Sequence, residues 1–132
     1  MPTAEDEGAI PLYIIDWELV QYGHRAIDIG GMLGDLYERK HFRGVEAAVE
    51  IMHGFIAGYG KVDEELAYET AIHAGVHIIC WYRRRNVDAP LPFPLEDVLA
   101  LLTVGRDLVL KGWERDREWL KTSIIGPLFA DE

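Results

Sequence analysis

The sequence has few of the features that mark secreted, membrane-spanning or nucleic-acid-binding proteins. It contains one cysteine, Cys80, so no disulfide can form within the chain. Apolar residues make up 49% of the chain, but they are interrupted too often for a transmembrane run, and no signal-peptide pattern follows Met1. Lys and Arg total only 13 against 23 Asp and Glu, which gives a formal net charge of −10. This charge disfavours nucleic acid and anionic membranes as partners, and together these features predict a cytoplasmic protein.

The length of 132 residues is enough for one domain with a hydrophobic core. The acidic residues 1–11 are expected to form a loop at the N-terminus, and residues 12–132 to form a single domain. Cys80 lies in an apolar stretch, so we expect a buried thiol rather than a nucleophile.

Two carboxylates follow an apolar run near the N-terminus. Residues 12–15 (Leu-Tyr-Ile-Ile) read as a short buried strand, and Asp16 and Glu18 come directly after it. Carboxylates at the end of a strand can hold a hard cation such as Mg²⁺, which prefers oxygen ligands and shares them with phosphates. The alternative is that Asp16 and Glu18 only cap the next turn.

The order of residues across positions 12–39 resembles the metal-binding segment of the aminoglycoside phosphotransferase / choline kinase superfamily. These small-molecule kinases share the protein-kinase fold. The resemblance lies in Ile-Asp-x-Glu, then Tyr-Gly, then Asp-Ile-Gly, and it is strongest to the choline kinase and methylthioribose kinase branches. It implies that Asp16 holds Mg²⁺ on the phosphates of ATP and that Glu18 is a second metal carboxylate. It also implies that Asp28 opens the following helix and ties it to the catalytic loop.

The resemblance covers only part of an active site. In that superfamily the phosphate-covering loop, the nucleotide-binding Lys, the catalytic Asp and the metal-binding Asn all precede this strand. Residues 1–11 contain none of these motifs, so no catalytic residue is assigned and the nucleotide-binding residues stay unknown. The resemblance thus implies the C-terminal part of an ATP- and Mg²⁺-dependent phosphotransferase, acting on a small-molecule hydroxyl and inactive by itself. The acidic balance would tolerate a cationic substrate such as an amine.

A second hypothesis is a stand-alone, non-catalytic helical module that serves binding or assembly. In either case, a chain without the N-terminal lobe of the kinase fold would expose the apolar surface that packs against this lobe. We therefore expect a homo-oligomer, formed for example when residues 13–15 of two copies pair as strands.

The expected fold is mainly α: the helical C-lobe of a protein-kinase-like fold with one short N-terminal strand or hairpin. Three glycines, Gly30, Gly31 and Gly34, are expected to permit close packing of the first helix against a neighbour. Apolar periodicity, caps and breakers predict helices over residues 28–41, 45–57, 63–82 and 95–114, and a final one from residue 116 that Gly126-Pro127 breaks.

Three further groups have two readings each. Glu69, His73 and His77 are spaced by four on one helix and could bind Zn²⁺, or they could be partly buried, hydrogen-bonded residues. Residues 83–85 (Arg-Arg-Arg) could bind a phosphate or simply suit a helix C-terminus. The last group consists of Trp113, Arg115, Arg117 and Trp119. These residues could line a substrate cleft, or they could close the core while the arginine head groups reach into solvent.

Overall fold

A computed structural model describes residues 11–15, 20–81, 86 and 88–130 of the chain. The regular secondary structure within these residues is helical, which confirms the mainly α prediction. The elements are α1 (Arg25–Arg43), α2 (Ala47–Tyr59), α3 (Glu64–Trp81), α4 (Leu95–Glu114), α5 (Arg117–Lys121) and a 3₁₀ helix (Gly126–Phe129). The central element is α3, which packs against α1 on one side and α4 on the other. None of the described helices has the length and apolar character needed to cross a bilayer.

The predicted N-terminal strand is not formed in the described residues. Residues 12–15 have no regular secondary structure, and their side chains are 74 to 93% exposed. A strand is stable only when a neighbour accepts its backbone hydrogen bonds, and the described residues contain no second strand. The prediction of a buried strand is therefore wrong.

Helix α1 begins one turn earlier than predicted. Its N-cap is His24, whose Nδ1 accepts a hydrogen bond from the Ala26 backbone N–H at 3.3 Å. Asp28 therefore lies in the first turn instead of opening the helix, at a position where a negative charge is favoured by the helix dipole. The helix ends at Gly44, which adopts φ 61° and donates its N–H to the Lys40 carbonyl.

The other boundaries follow their local signals closely. Asp63 caps α3 as predicted, because its Oδ1 accepts a hydrogen bond from the Leu66 N–H at 2.8 Å. The bounds of α4 are those predicted, and α2 lies two residues later than expected at each end. The C-terminal helix is shorter than expected: α5 ends at Lys121, and Pro127 lies in the first turn of the 3₁₀ helix instead of breaking a longer one.

Glycines bring α1 against α3. A Cβ on Gly30 would lie 2.7 Å from the Ala74 backbone N, and a Cβ on Gly34 would lie 2.8 Å from Cδ2 of His77. These distances confirm the predicted close packing for both glycines. Gly31 leaves more room, since its Cβ would meet the His77 ring at an ordinary 3.7 Å.

A second glycine contact joins α3 to α4. Gly75 and Gly105 face each other so closely that a Cβ on either residue would meet the carbonyl oxygen of the other. Further along α4, Gly112 lies against the Tyr68 carbonyl. The two helices therefore touch backbone to backbone, with the buried side chains of Val98, Leu101 and Leu108 on the same face of α4.

The prediction of a buried Cys80 is wrong, because this residue is exposed. Ile78, two residues earlier, is fully buried against the core. Two residues correspond to about 200° of rotation around an α-helix, which directs Cys80 away from the core.

Candidate functional site

The carboxylates with the strongest sequence signal, Asp16 and Glu18, lie outside the described residues, and their metal role stays a prediction. Residues 83–85 also lie outside them. Asp28 is described: its side chain is exposed in the first turn of α1. An exposed carboxylate at a helix N-terminus is available to a partner.

The N-cap residue of α1 also contacts α3. His24 Nε2 lies 3.1 Å from Glu69 Oε2, while Nδ1 of the same ring accepts the N-cap hydrogen bond. Both contacts are satisfied by one tautomer, with the proton on Nε2 donated to Glu69. His24 thus joins the start of α1 to the middle of α3, which sets the position from which the preceding residues depart.

Glu69, His73 and His77 do not come together as ligands. Glu69 contacts His24, whereas His77 Nε2 lies 3.6 Å from Asp35 Oδ1 on α1. His73 lies between them, next to Gly30. Each four-residue step advances about 40° beyond a full turn, so the first and last members point in directions about 80° apart. The zinc hypothesis for this trio is therefore wrong, and the alternative of separate, partly buried polar contacts fits.

A different group of metal-ligating side chains lies between α1 and α3. One oxygen each of Asp35 and Glu38 and one nitrogen of His77 all lie within 4.8 Å of one another. Glu38 is buried at 7% exposure, His77 is largely buried, and the Asp35 side chain is half exposed and pairs with Arg39 at 3.7 Å. Sequence reasoning missed this group because its members come from two helices. The i,i+3 spacing of the two acids on α1 was the available signal.

The acidic group opens onto a small cleft. Asp35 and Glu38 line a cavity of about 190 Å³ together with Phe42 and Phe93, whose rings stack with centroids 4.1 Å apart. The stacked rings provide an apolar wall. The polar lining carries both charges, because two arginines join the two carboxylates there, Arg39 and Arg43.

A larger cleft of about 820 Å³ lies near the other end of the bundle. It is lined by side chains of both charges, including Lys61, Asp63, Glu64 and Arg117. Glu64 accepts hydrogen bonds from Arg117 and from the Tyr68 hydroxyl, each at 3.1 Å. Burial, and then the Glu64 carboxylate, raise the pKa of Tyr68. These polar groups are therefore largely occupied with one another.

The C-terminal arginines act mainly as structural contacts. Arg115 pairs with Glu65 at 2.6 Å and lies over the Tyr68 ring, and Arg117 also donates to the Phe129 carbonyl. Of the two tryptophans in that group, Trp119 packs on the core and Trp113 is 79% exposed. The arrangement favours the reading in which this region closes the core.

Comparison with known proteins identifies relatives of one enzyme type. The chain is 37% identical over 116 residues, 88% of its length, to a protein named phosphotransferase FrzJ from Cladobotryum sp. It is 29% and 28% identical over 72 residues, 53% of its length, to proteins named 4-hydroxytryptamine kinase from Psilocybe cubensis and Psilocybe cyanescens. No protein-family model and no solved structure matches the chain.

The matched region spans 29% of the length of the first of these relatives and 20% of the other two. The chain is therefore similar, along most of its own length, to part of proteins that are named phosphotransferases or kinases.

Proposed function

We propose that this chain supplies the metal-holding part of an ATP- and Mg²⁺-dependent small-molecule phosphotransferase that transfers a phosphoryl group to a hydroxyl. The observation that carries the proposal is the match to a phosphotransferase across 88% of the chain. The order of Asp16, Glu18 and Asp28 supports the same activity, because it resembles the metal-binding segment of choline kinase-like enzymes.

The proposed chemistry is electrostatic. Asp16 and Glu18 would hold Mg²⁺ against the nucleotide phosphates, and the cation would lower the cost of moving the terminal phosphoryl group. Asp28, exposed in the first turn of α1, would contact the catalytic loop of the intact enzyme. The His24–Glu69 contact supports this arrangement, because it fixes the start of α1 relative to α3.

The proposed acceptor is a hydroxyl on a small, cationic molecule. Two relatives are named for 4-hydroxytryptamine, which carries both a hydroxyl and an amine. The net charge of −10 would favour such a cation over an anionic substrate. By itself the chain is expected to transfer no phosphoryl group, since it lacks the catalytic Asp and Asn motif. Its proposed location is the cytoplasm.

The test uses a weak-binding assay, because two carboxylates alone should hold the cation loosely. Mn²⁺-ATP is added to the isotope-labelled chain, and paramagnetic broadening of backbone amide signals is mapped by NMR. We expect broadening centred on residues 20–28 in the wild-type chain. It should disappear in Asp16→Asn and persist in Asp107→Asn, which removes a carboxylate on α4 that pairs with Arg106.

Broadening that spares residues 20–28, or that survives Asp16→Asn, would contradict the proposal. An additional variant, Asp35→Asn, separates binding at the predicted carboxylate pair from binding between α1 and α3.

The second candidate function, a binding or assembly module, is supported by exposed apolar side chains. Residues 12–15 are at least 74% exposed, and Trp113 is 79% exposed. Such surface favours self-association. Light scattering across a range of concentrations should show a dimer or larger species, and a monomer at every concentration would count against this candidate.

A further inference from the structure

We propose that Asp35, Glu38 and His77 form a second divalent-cation site between α1 and α3, with a ligand set suited to Zn²⁺. We call it the α1–α3 site. Its residues are different from the predicted Mg²⁺ carboxylates, Asp16 and Glu18, and the proposal does not depend on the proposed kinase function.

The spacing along α1 places two ligands on one face. Asp35 and Glu38 are three residues apart, so their carboxylates lie on neighbouring turns of the same side of the helix. His77 faces them from α3, with its Nε2 at 3.6 Å from Asp35 Oδ1. Helical bundles commonly build metal sites in this way, from carboxylates and imidazoles on facing helices.

The distances are close to those of a coordinated ion. Zinc bonds to histidine nitrogen and carboxylate oxygen at about 2.0–2.2 Å, which places two tetrahedral ligands roughly 3.4 Å apart. The separation between His77 and Asp35 already fits, and no separation in the group exceeds 4.8 Å. Coordination therefore requires movements of about 1.4 Å or less, estimated from those zinc bond lengths. The half-exposed Asp35 side chain can make such a movement by changing rotamer.

Two glycines of α1 set the orientation of the imidazole. The His77 ring lies against Gly34, where any Cβ would be 2.8 Å from Cδ2, and Nδ1 faces the Cβ position of Gly31 at 3.7 Å. With this edge of the ring against the α1 backbone, Nε2 is the nitrogen presented to Asp35. The close helix contact thus brings the imidazole within reach of both carboxylates.

The ligand types favour zinc over a harder ion. Imidazole nitrogen is a good ligand for Zn²⁺, whereas Mg²⁺ and Ca²⁺ prefer oxygen alone. The adjoining cleft of about 190 Å³, which Arg39 and Arg43 also line, has room for water as the fourth ligand.

The direct test is calorimetric titration of the tag-free, chelator-treated chain with ZnCl₂. We expect one Zn²⁺ per chain and a loss of affinity of at least about tenfold in Asp35→Asn and His77→Gln. The matched control is His53→Gln, which removes an exposed histidine on α2 and should leave the affinity unchanged. No binding by the wild-type chain, or equal affinity in Asp35→Asn, would overturn the proposal.

A second readout separates coordination from a structural effect of the substitutions. Co²⁺ in place of Zn²⁺ should give the intense visible absorption of a four-coordinate nitrogen and oxygen site, and this spectrum should persist in Asp16→Asn. If His77→Gln fails to fold, Asp35→Asn still decides the question, because its side chain is half exposed and the change preserves its volume. A Co²⁺ spectrum that is lost in Asp16→Asn and retained in Asp35→Asn would assign the metal to the other carboxylates and refute the α1–α3 site.

Discussion

Substitution of Gly75 by alanine tests whether α3 and α4 are in backbone contact. The added Cβ would meet the Gly105 carbonyl oxygen and would also lie 2.8 Å from Val109 Cγ2 and 3.0 Å from the Val109 backbone N. The Val109 side chain can change rotamer, but the two backbone groups cannot, so α3 and α4 must move apart. Overpacking of this kind costs about 1–3 kcal/mol, and the rigid contact here favours the upper end of that range.

A second effect opposes the clash. Alanine is more favourable than glycine inside a helix by about 0.5–1 kcal/mol. The net expectation for Gly75→Ala is therefore a loss of about 2 kcal/mol in the free energy of unfolding. The matched control is Gly54→Ala in α2, where no atom lies within 4 Å of the added Cβ. That variant should gain about 0.5–1 kcal/mol, since only the backbone effect remains.

The assay is urea unfolding followed by circular dichroism, with a thermal melt as a second measure. At roughly 4 °C per kcal/mol for a domain of this size, the melting temperature should fall by about 8 °C in Gly75→Ala and rise by about 3 °C in Gly54→Ala. If Gly75→Ala were as stable as the wild-type chain, the backbone contact between α3 and α4 would be refuted.

Three smaller predictions concern caps and charges, each measured by chemical unfolding. Gly44→Ala should lose about 1 kcal/mol, because φ 61° is unfavourable for a residue with a Cβ; an unchanged stability would contradict the left-handed C-cap. His24→Ala should lose about 1 kcal/mol, while His24→Asn should recover most of it, because asparagine can still cap α1 although it loses Glu69; equal losses would show that the Glu69 contact dominates. The Lys111 ammonium holds the pKa of Asp116 below its usual 3.8, so this pair stabilises the fold above that pH and its contribution is lost as the pH falls below it. Asp116→Asn should therefore weaken the dependence of stability on pH in that acid range, and an unaltered dependence would refute this assignment.

Features set by short-range signals could be predicted from the sequence. Asp63 caps α3, and the apolar stripe and bounds of α4 follow from helical spacing. Gly30 and Gly34 also pack as expected against α3.

Features that depend on the arrangement of several helices could not be predicted. A strand at residues 12–15 requires a partner that periodicity does not reveal. Cys80 lies among apolar residues in the sequence and is nevertheless exposed, because the orientation of α3 between α1 and α4 decides which of its faces is buried. The spacing of Glu69, His73 and His77 left open whether His77 shares a ligand set on its own helix or makes a separate contact, and only the packing of α1 on α3 reveals its contact with Asp35. The role of Asp16 and Glu18 stays a prediction.

The glycine contacts on both sides of α3 also bear on the slow opening of the fold. The atoms next to Gly75 include two backbone groups of α4, so we expect amide protons in the middle of α3 to exchange only when the helices separate. These amides should therefore exchange with deuterium only through global unfolding, while those of the exposed residues 20–24 exchange by local fluctuations. When refolding is faster than chemical exchange, the protection of such amides reports the unfolding equilibrium constant. The free energy of unfolding of the whole chain could then be read from a few amides of one helix, without any denaturant.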